Sequence, residues 1–158
     1  MLSFKEKNKK FNFRVGAIII SIDKQKVLMH TIAGYDFYLL PGGRVNWLEN
    51  SVDALKRELR EELGLTNINP VARLNLENFF NFSGMEFHEI SNDFVIELTD
   101  DHKFLEEKEQ FFGEEGEKYI FKWFPIEKID NVNIKPALLK EVIKSHNESY
   151  QFLTLDER

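Results

Sequence analysis

The stretch Pro41–Leu65, PGGRVNWLENSVDALKRELREELGL, decides the fold. It opens on a turn. Pro41 fixes φ and has no N–H, and Gly42 and Gly43 tolerate positive φ, so Pro41–Gly43 suits neither a helix nor a central strand. Asn50 or Ser51 is a good N-cap, and VDALKRELREEL after it consists of strong helix formers. Gly64 fits the left-handed residue that closes a helix. At about 100° per residue, Val52, Leu55, Leu59 and Leu63 share an arc that should face a core. Glu58, Glu61 and Glu62 share the neighbouring arc at i+3 and i+4 spacing, where like charges repel by a few tenths of a kcal/mol per pair. An acidic helix face alone reads as ordinary solvated surface. Next to a glycine turn and a lone Glu49, it reads as a site for a hard divalent cation, which prefers oxygen ligands. Ala54 leaves room on that side, and Arg57 is placed to fork onto a carboxylate such as Glu49.

The chain around this stretch has 158 residues, suited to one domain with a real hydrophobic core. The expected division is a flexible segment over 1–12 and a single domain over 13–158. Net charge is −6, which argues against a general nucleic-acid surface; an anionic substrate then needs a metal or local Arg and Lys. Cysteine is absent, which excludes disulfides, zinc–thiolate sites and a cysteine nucleophile. The N-terminal residues form no secretory signal, and no apolar run reaches the length of a membrane span. The expectation is a cytoplasmic protein with no membrane partner.

Along the chain, RVGAIIISI after Phe13 is a β-branched run, and its continuous apolar centre predicts a strand covered on both faces. KVLMHTI follows as a hairpin partner. DFYLL reads as a third short strand. Beyond the helix, Val71–Phe82 and Glu86–Leu98 read as two long strands joined at Ser83-Gly84. Asp100–Glu109 is a charged connection, GEEGE (113–117) a loop, YIFKWF a strand and PIEKID a short helical turn. Lys135–Asn147 reads as a final helix. The order predicts an α/β (α+β) sandwich with a mixed sheet.

Gly43, then Glu49, then Arg57-Glu58-Leu59-x-Glu61-Glu62-x-Gly64-Leu65 resembles the complete box of the Nudix hydrolases. The resemblance covers 42–65, with a weaker agreement in element order over about 13–147. It implies a Nudix-type α/β/α sandwich and hydrolysis of a phosphoanhydride in a nucleoside diphosphate linked to another moiety. It assigns Mg²⁺ or Mn²⁺ to Glu58, Glu61 and Glu62, with Gly43 beside the metal and Glu49 and Arg57 holding the box. The loop at 113–117 resembles the MutT branch, which points to Glu115 as a further acid, base or ligand; Glu114 and Glu117 are its rivals, and Glu89, Glu97 and Glu109 come next. That resemblance favours a nucleoside triphosphate, including oxidised ones, as substrate. ADP-ribose or a dinucleotide is the alternative, and a non-catalytic nucleotide-binding module a third. RNA 5′-ends fit the acidic balance less well, and the chain has no length for an appended DNA-binding domain.

Candidate catalytic residues are therefore Glu58, Glu61, Glu62, Glu115 and Arg57. Arg14, Arg44, Gly42 and Gly43 are candidates for substrate binding. Arg14 is a charge at the head of an apolar strand. Phe79, Phe80, Phe82, Phe87 and Phe94 include a candidate stacking partner for a base. His30, His88, His102 and His146 show no metal-ligand spacing. Trp123 fits either the loop or the core. A homodimer is possible. One departure stands out: Leu48 occupies the place of the glycine common before the first glutamate, so the turn 44–48 is expected to bend differently or pack an extra hydrophobe.

Overall fold

The computed structural model describes all 158 residues. Nine strands form one mixed sheet: β1 (Ser3–Glu6), β2 (Lys9–Ile20), β3 (Lys26–Ile32), β4 (Gly42–Arg44), β5 (Val71–Phe82), β6 (Met85–Glu97), β7 (Gln110–Gly113), β8 (Gly116–Pro125) and β9 (Gln151–Asp156). Helix α1 spans Ser51–Leu63 and helix α2 spans Leu139–Lys144, with 3-10 turns at Asp100–Glu106 and Ile126–Asn131. The strand order is β7-β8-β3-β2-β6-β5-β9, and β1 and β4 also pair with β2. The β2–β6 and β5–β9 pairs are parallel and the others antiparallel.

β2 explains the layers. Val15, Ala17 and Ile19 point to one face and pack with Leu55, Leu59 and Leu63 of α1. Ile18 and Ile20 point to the other and pack with Leu139, Val142 and Ile143 of α2. A strand covered on both sides has no polar face to offer, hence the unbroken apolar run. Removing one such anchor, as in Leu59→Ala, costs about 2–5 kcal/mol.

β2 pairs with β3 only at Ile19–Leu28 and Ile20–Val27. Its earlier half pairs instead with β4, from Arg14–Arg44 to Gly16–Gly42. The sheet is therefore split beside β2, and the glycine turn lies in the split. Gly42 has φ +149°, and a Cβ there would run into the Val15 carbonyl. Only glycine lets the two backbones come this close.

Several expectations are corrected. Residues 1–12 do not form a flexible segment: Ser3–Glu6 pairs with Lys9–Asn12 as a hairpin, and Leu2 N–H donates to the Val45 carbonyl at 2.7 Å. The third strand is Gly42–Arg44, and DFYLL contributes only isolated bridges at Tyr38 and Leu39. The final helix, Leu139–Lys144, is shorter than Lys135–Asn147, and the segment before Leu139 walls the cavity described below. The loop at 113–117 is a tight turn at Glu114-Glu115 between β7, which had been missed, and β8.

β9 had also been missed. Its anchor is Arg73, fully buried on β5. Arg73 donates to the carbonyls of Ser149 (3.0 Å) and Ser145 (3.3 Å), to Ser145 Oγ (3.2 Å) and to Gln151 Oε1 (3.2 Å). These bonds draw the chain after α2 down beside β5.

Candidate active site

The local signals of the box hold. Asn50 Oδ1 caps α1 by accepting from the Asp53 N–H at 2.9 Å, and Gly64 closes it at φ +64°. Arg57 forks onto Glu49, with Nε donating at 2.8 Å and Nη2 at 2.9 Å. Nη2 also donates to the Arg44 carbonyl at 3.1 Å, and the Asn46 N–H donates to Glu49 at 3.0 Å. One guanidinium thus ties the helix to both ends of the turn. It holds the Glu49 carboxyl down to about 2. Leu48 takes the left-handed φ of +59° that a glycine would take, and its side chain is fully exposed. That φ carries a steric cost for a residue with a Cβ, and Leu48 packs against no part of the core.

Glu58, Glu61 and Glu62 line the neighbouring arc as expected, but their surroundings differ. Glu61 is exposed and lies 3.4 Å from Arg57 Nη1. Glu58 receives Arg57 Nη1 at 2.7 Å, yet burial outweighs that bond and pushes its carboxyl up, with Glu61 and Glu115 adding to the rise. Glu62 is buried deepest of the three. Its carboxyl is pushed up to about 8 by burial first, then by the fields of Glu58 and Glu115. Glu62 Oε2 is a buried acceptor with no partner.

Glu115 sits at the turn between β7 and β8, near enough to act electrostatically on both Glu58 and Glu62. The turn is docked on the end of α1 by Glu114 N–H donating to the Glu62 carbonyl at 2.7 Å. Gly113 fits because a Cβ there would meet Phe121 and that same carbonyl. Of the other acids considered, Glu97 pairs with Lys24 at 3.3 Å, Glu89 lies in the cavity floor, and the Glu109 carbonyl accepts the Trp123 N–H at 2.9 Å. Trp123 is buried and donates its indole N–H to the Leu105 carbonyl at 2.7 Å, so its role is packing.

No three acidic or histidine side chains converge closely enough to hold an ion ready-made. The donor set nevertheless suits Mg²⁺ or Mn²⁺. It offers hard oxygens, an orphaned buried carboxylate oxygen on Glu62, and a Gly43 whose Cβ would overlap the Glu58 carboxylate. A buried carboxylate oxygen without a partner, as on Glu62, is costly, and a divalent ion offsets that cost.

On the other side of the split lies a cavity of about 670 Å³ over β2, β5 and β6, with the segments before Pro41 and before α2 as walls. Arg14 and Arg44 line it. Arg14 Nη2 donates to the Leu40 carbonyl at 3.2 Å, and its field reaches Glu62. It therefore stands between the carboxylates and the cavity. Arg44 contacts Met1 Sδ at 3.2 Å. The phenylalanines divide: Phe80, Phe82 and Phe87 line the cavity, Phe79 stacks on His88 at 4.4 Å, and Phe94 is core. His30 is a core histidine, kept neutral by burial with its pKa lowered to about 4. Missed from the sequence were Lys10, Asn78 and Asp93, all lining the cavity. An isolated polar residue in a strand carries no local signal of which cavity it faces.

The NUDIX domain model matches residues 10–145, and the chain belongs to the Nudix family. An RNA pyrophosphohydrolase from Ruthia magnifica subsp. Calyptogena magnifica is 45% identical over 49 residues, which is 31% of this chain and 27% of that protein. The match thus spans about a quarter of that relative. A MutT protein from Bacillus halodurans superposes with a TM-score of 0.60 at 17% identity, covering 90% of this chain and 86% of that one. The dihydroneopterin triphosphate pyrophosphohydrolase of E. coli gives a TM-score of 0.61 at 19% identity, covering 84% and 92%. At these identities the structural likeness is one of fold.

Proposed function

We propose that the protein is a divalent-metal-dependent pyrophosphohydrolase that cuts a nucleoside triphosphate to the monophosphate and pyrophosphate. One observation carries the reading: a carboxylate cluster with one orphaned, buried oxygen, on Glu62, opens past Arg14 into a cavity large enough for a nucleoside. In this reading Glu58, Glu61 and Glu62, with Glu115 opposite and Gly43 beneath, hold Mg²⁺ or Mn²⁺. A bound ion would neutralise phosphate charge and lower the pKa of a water for attack at phosphorus. Arg14 and Arg44 bind and orient the phosphate chain, Arg14 supplying charge where base and phosphates meet. Arg57 acts by positioning, because its donors are committed to Glu49, Glu58 and the Arg44 carbonyl. Glu115 takes a proton from the attacking water or completes the ligand set. Water leaves the Phe-lined cavity when the base enters.

The test is a panel of nucleoside triphosphates, ADP-ribose, NADH and diadenosine polyphosphates, with products resolved by chromatography. The expected outcome is pyrophosphate from a triphosphate, abolished by chelation. Preferred release of AMP from ADP-ribose or a dinucleotide would replace the substrate assignment. Tight nucleotide binding without turnover would make the protein a binding module.

A further inference from the structure

The floor of the cavity shows an order of hydrogen-bonding groups that the phosphate chemistry does not use. Three neighbouring strands contribute one group each. Asn78 on β5 lies directly opposite Glu89 on β6, and Glu89 lies opposite Asn12 on β2. Lys10 is two residues before Asn12 on the same face and pairs with Phe87, which pairs with Phe80, so it stands one rung away, diagonal to Glu89 and Asn78. All three side chains line the cavity.

Their states differ in a telling way. Asn78 is 4% exposed, and its Oδ1 has no hydrogen-bond partner. Leaving such an acceptor buried costs about 1–3 kcal/mol, a cost relieved when the amide turns its oxygen toward the cavity and meets a donor there. Glu89 accepts from Asn12 Nδ2 at 3.3 Å through Oε2, leaving Oε1 uncommitted. Lys10 Nζ lies over the Phe87 ring at 5.8 Å and is a pure donor. Phe87 and Phe80 form a parallel aromatic step beside these groups, 4.9 Å apart at 2°. A flat ring entering here is offered a stacking surface, two acceptors from one rung and a donor diagonal to them.

We propose that Lys10, Glu89 and Asn78 read the base, and that the substrate carries a 2-amino-oxopyrimidine edge, as guanine and pterins do. This inference rests on the nucleotide reading above. That edge presents a carbonyl oxygen, a ring N–H and an exocyclic amine in order, the complement of the floor. Lys10 donates to the carbonyl, Glu89 accepts from the ring N–H, and Asn78 Oδ1 accepts from the amine. Adenine places a bare ring nitrogen against Glu89 and an amine against Lys10, which sets like against like at both positions. Xanthine turns a carbonyl toward Asn78. Hypoxanthine keeps the first two groups and lacks only the amine, so it isolates Asn78.

The experiment compares kcat/KM for GTP, ITP, XTP and ATP in the wild type and in Asn78→Leu and Asn78→Asp. Because the GTP-to-ITP ratio is taken within one protein, any loss of overall activity or stability cancels. The wild type should prefer GTP to ITP by about tenfold or more, since a site built to bond a group rejects the analogue lacking it. Asn78→Leu should bring that ratio close to one, and Asn78→Asp, which keeps an acceptor, should hold it. A wild-type ratio within twofold, or a ratio unchanged by Asn78→Leu, overturns the assignment. Dihydroneopterin triphosphate run beside GTP separates a pterin from a purine source of the same edge. Calorimetry with GMP and IMP separates this inference from the one it rests on. Selective GMP binding without turnover of any triphosphate sinks the triphosphate reading and keeps the base reading; turnover of all triphosphates alike does the reverse.

Discussion

The two ends of the site are built differently. The carboxylate end comes from one helix and the turn before it, with a single acid brought in by the β7–β8 turn. The cavity end is assembled from β2, β5, β6 and the segments around Phe37 and Lys135, where Lys135 Nζ sits 4.3 Å from the centre of the Phe37 ring. In the first, geometry follows from a helix repeat and an Arg–Glu fork. In the second, it follows from strand register. The chemistry needed at the carboxylate end tolerates little variation, since the glutamates must share one helix face. The cavity can exchange residues strand by strand without disturbing that face.

The largest expected effect lies at the carboxylate end. Glu62→Gln should lower kcat about 1,000-fold while the protein still folds, because charge stabilisation at phosphorus is lost. Wild-type kcat at equal metal concentration would break the assignment of this end. Next comes Arg57→Ala. Losing the fork to Glu49 and the bond to the Arg44 carbonyl should cost about 3 kcal/mol of stability. Melting temperature, metal affinity and activity should fall together; collapse of activity alone would make Arg57 a direct substrate ligand.

At the cavity end, Asp93 offers a test with a sign. It is fully buried, accepts from Ser91 Oγ at 2.6 Å, and has its carboxyl pushed up to about 6 by burial above all. In the unfolded chain it titrates near 3.9. The folded state therefore holds its proton more tightly, and stability falls as pH rises from about 4 to about 6. Asp93→Asn mimics the neutral acid. It should gain about 3 kcal/mol over the wild type at pH 8 and nothing at pH 4. Equal melting shifts at both values would show that this acid is not strained by burial.

The smallest effect sharpens the join between the two ends. Glu115→Gln should reduce kcat about tenfold. As a base, it should flatten the acidic limb of the pH–rate profile; as a ligand, it should raise the metal concentration required, with Mn²⁺ partly restoring the rate. Glu114→Gln and Glu117→Gln serve as controls, and a crippled control beside a normal Glu115→Gln would move the role to its neighbour.

Much of the carboxylate end was legible because its causes are local. A Gly-Gly turn, a capping Asn50, leucines at helical spacing and glutamates at i, i+3 and i+4 all lie within a few turns of one another. The resemblance to the Nudix box rested on the same residues. The N-terminal hairpin and β9 were not legible, for two different reasons. The hairpin is polar on its exposed positions and gains its order by pairing along β2. β9 is held by a buried arginine and a parallel pairing to β5, neither of which leaves a pattern in QFLTLD itself.

The sequence by itself determined the helix of glutamates, the glycine that must pass close to the sheet, and the arginine that pins the turn. These depend on dihedral preference and on the helix repeat, which act over short stretches of chain. Only the tertiary structure decided that Glu62 is the carboxylate left without a partner, that Arg14 stands between cluster and cavity, and that Lys10, Glu89 and Asn78 meet on one cavity floor. Those facts depend on which strands become neighbours, and a residue's neighbours across a sheet are set by long-range packing of two hydrophobic faces and not by its neighbours along the chain.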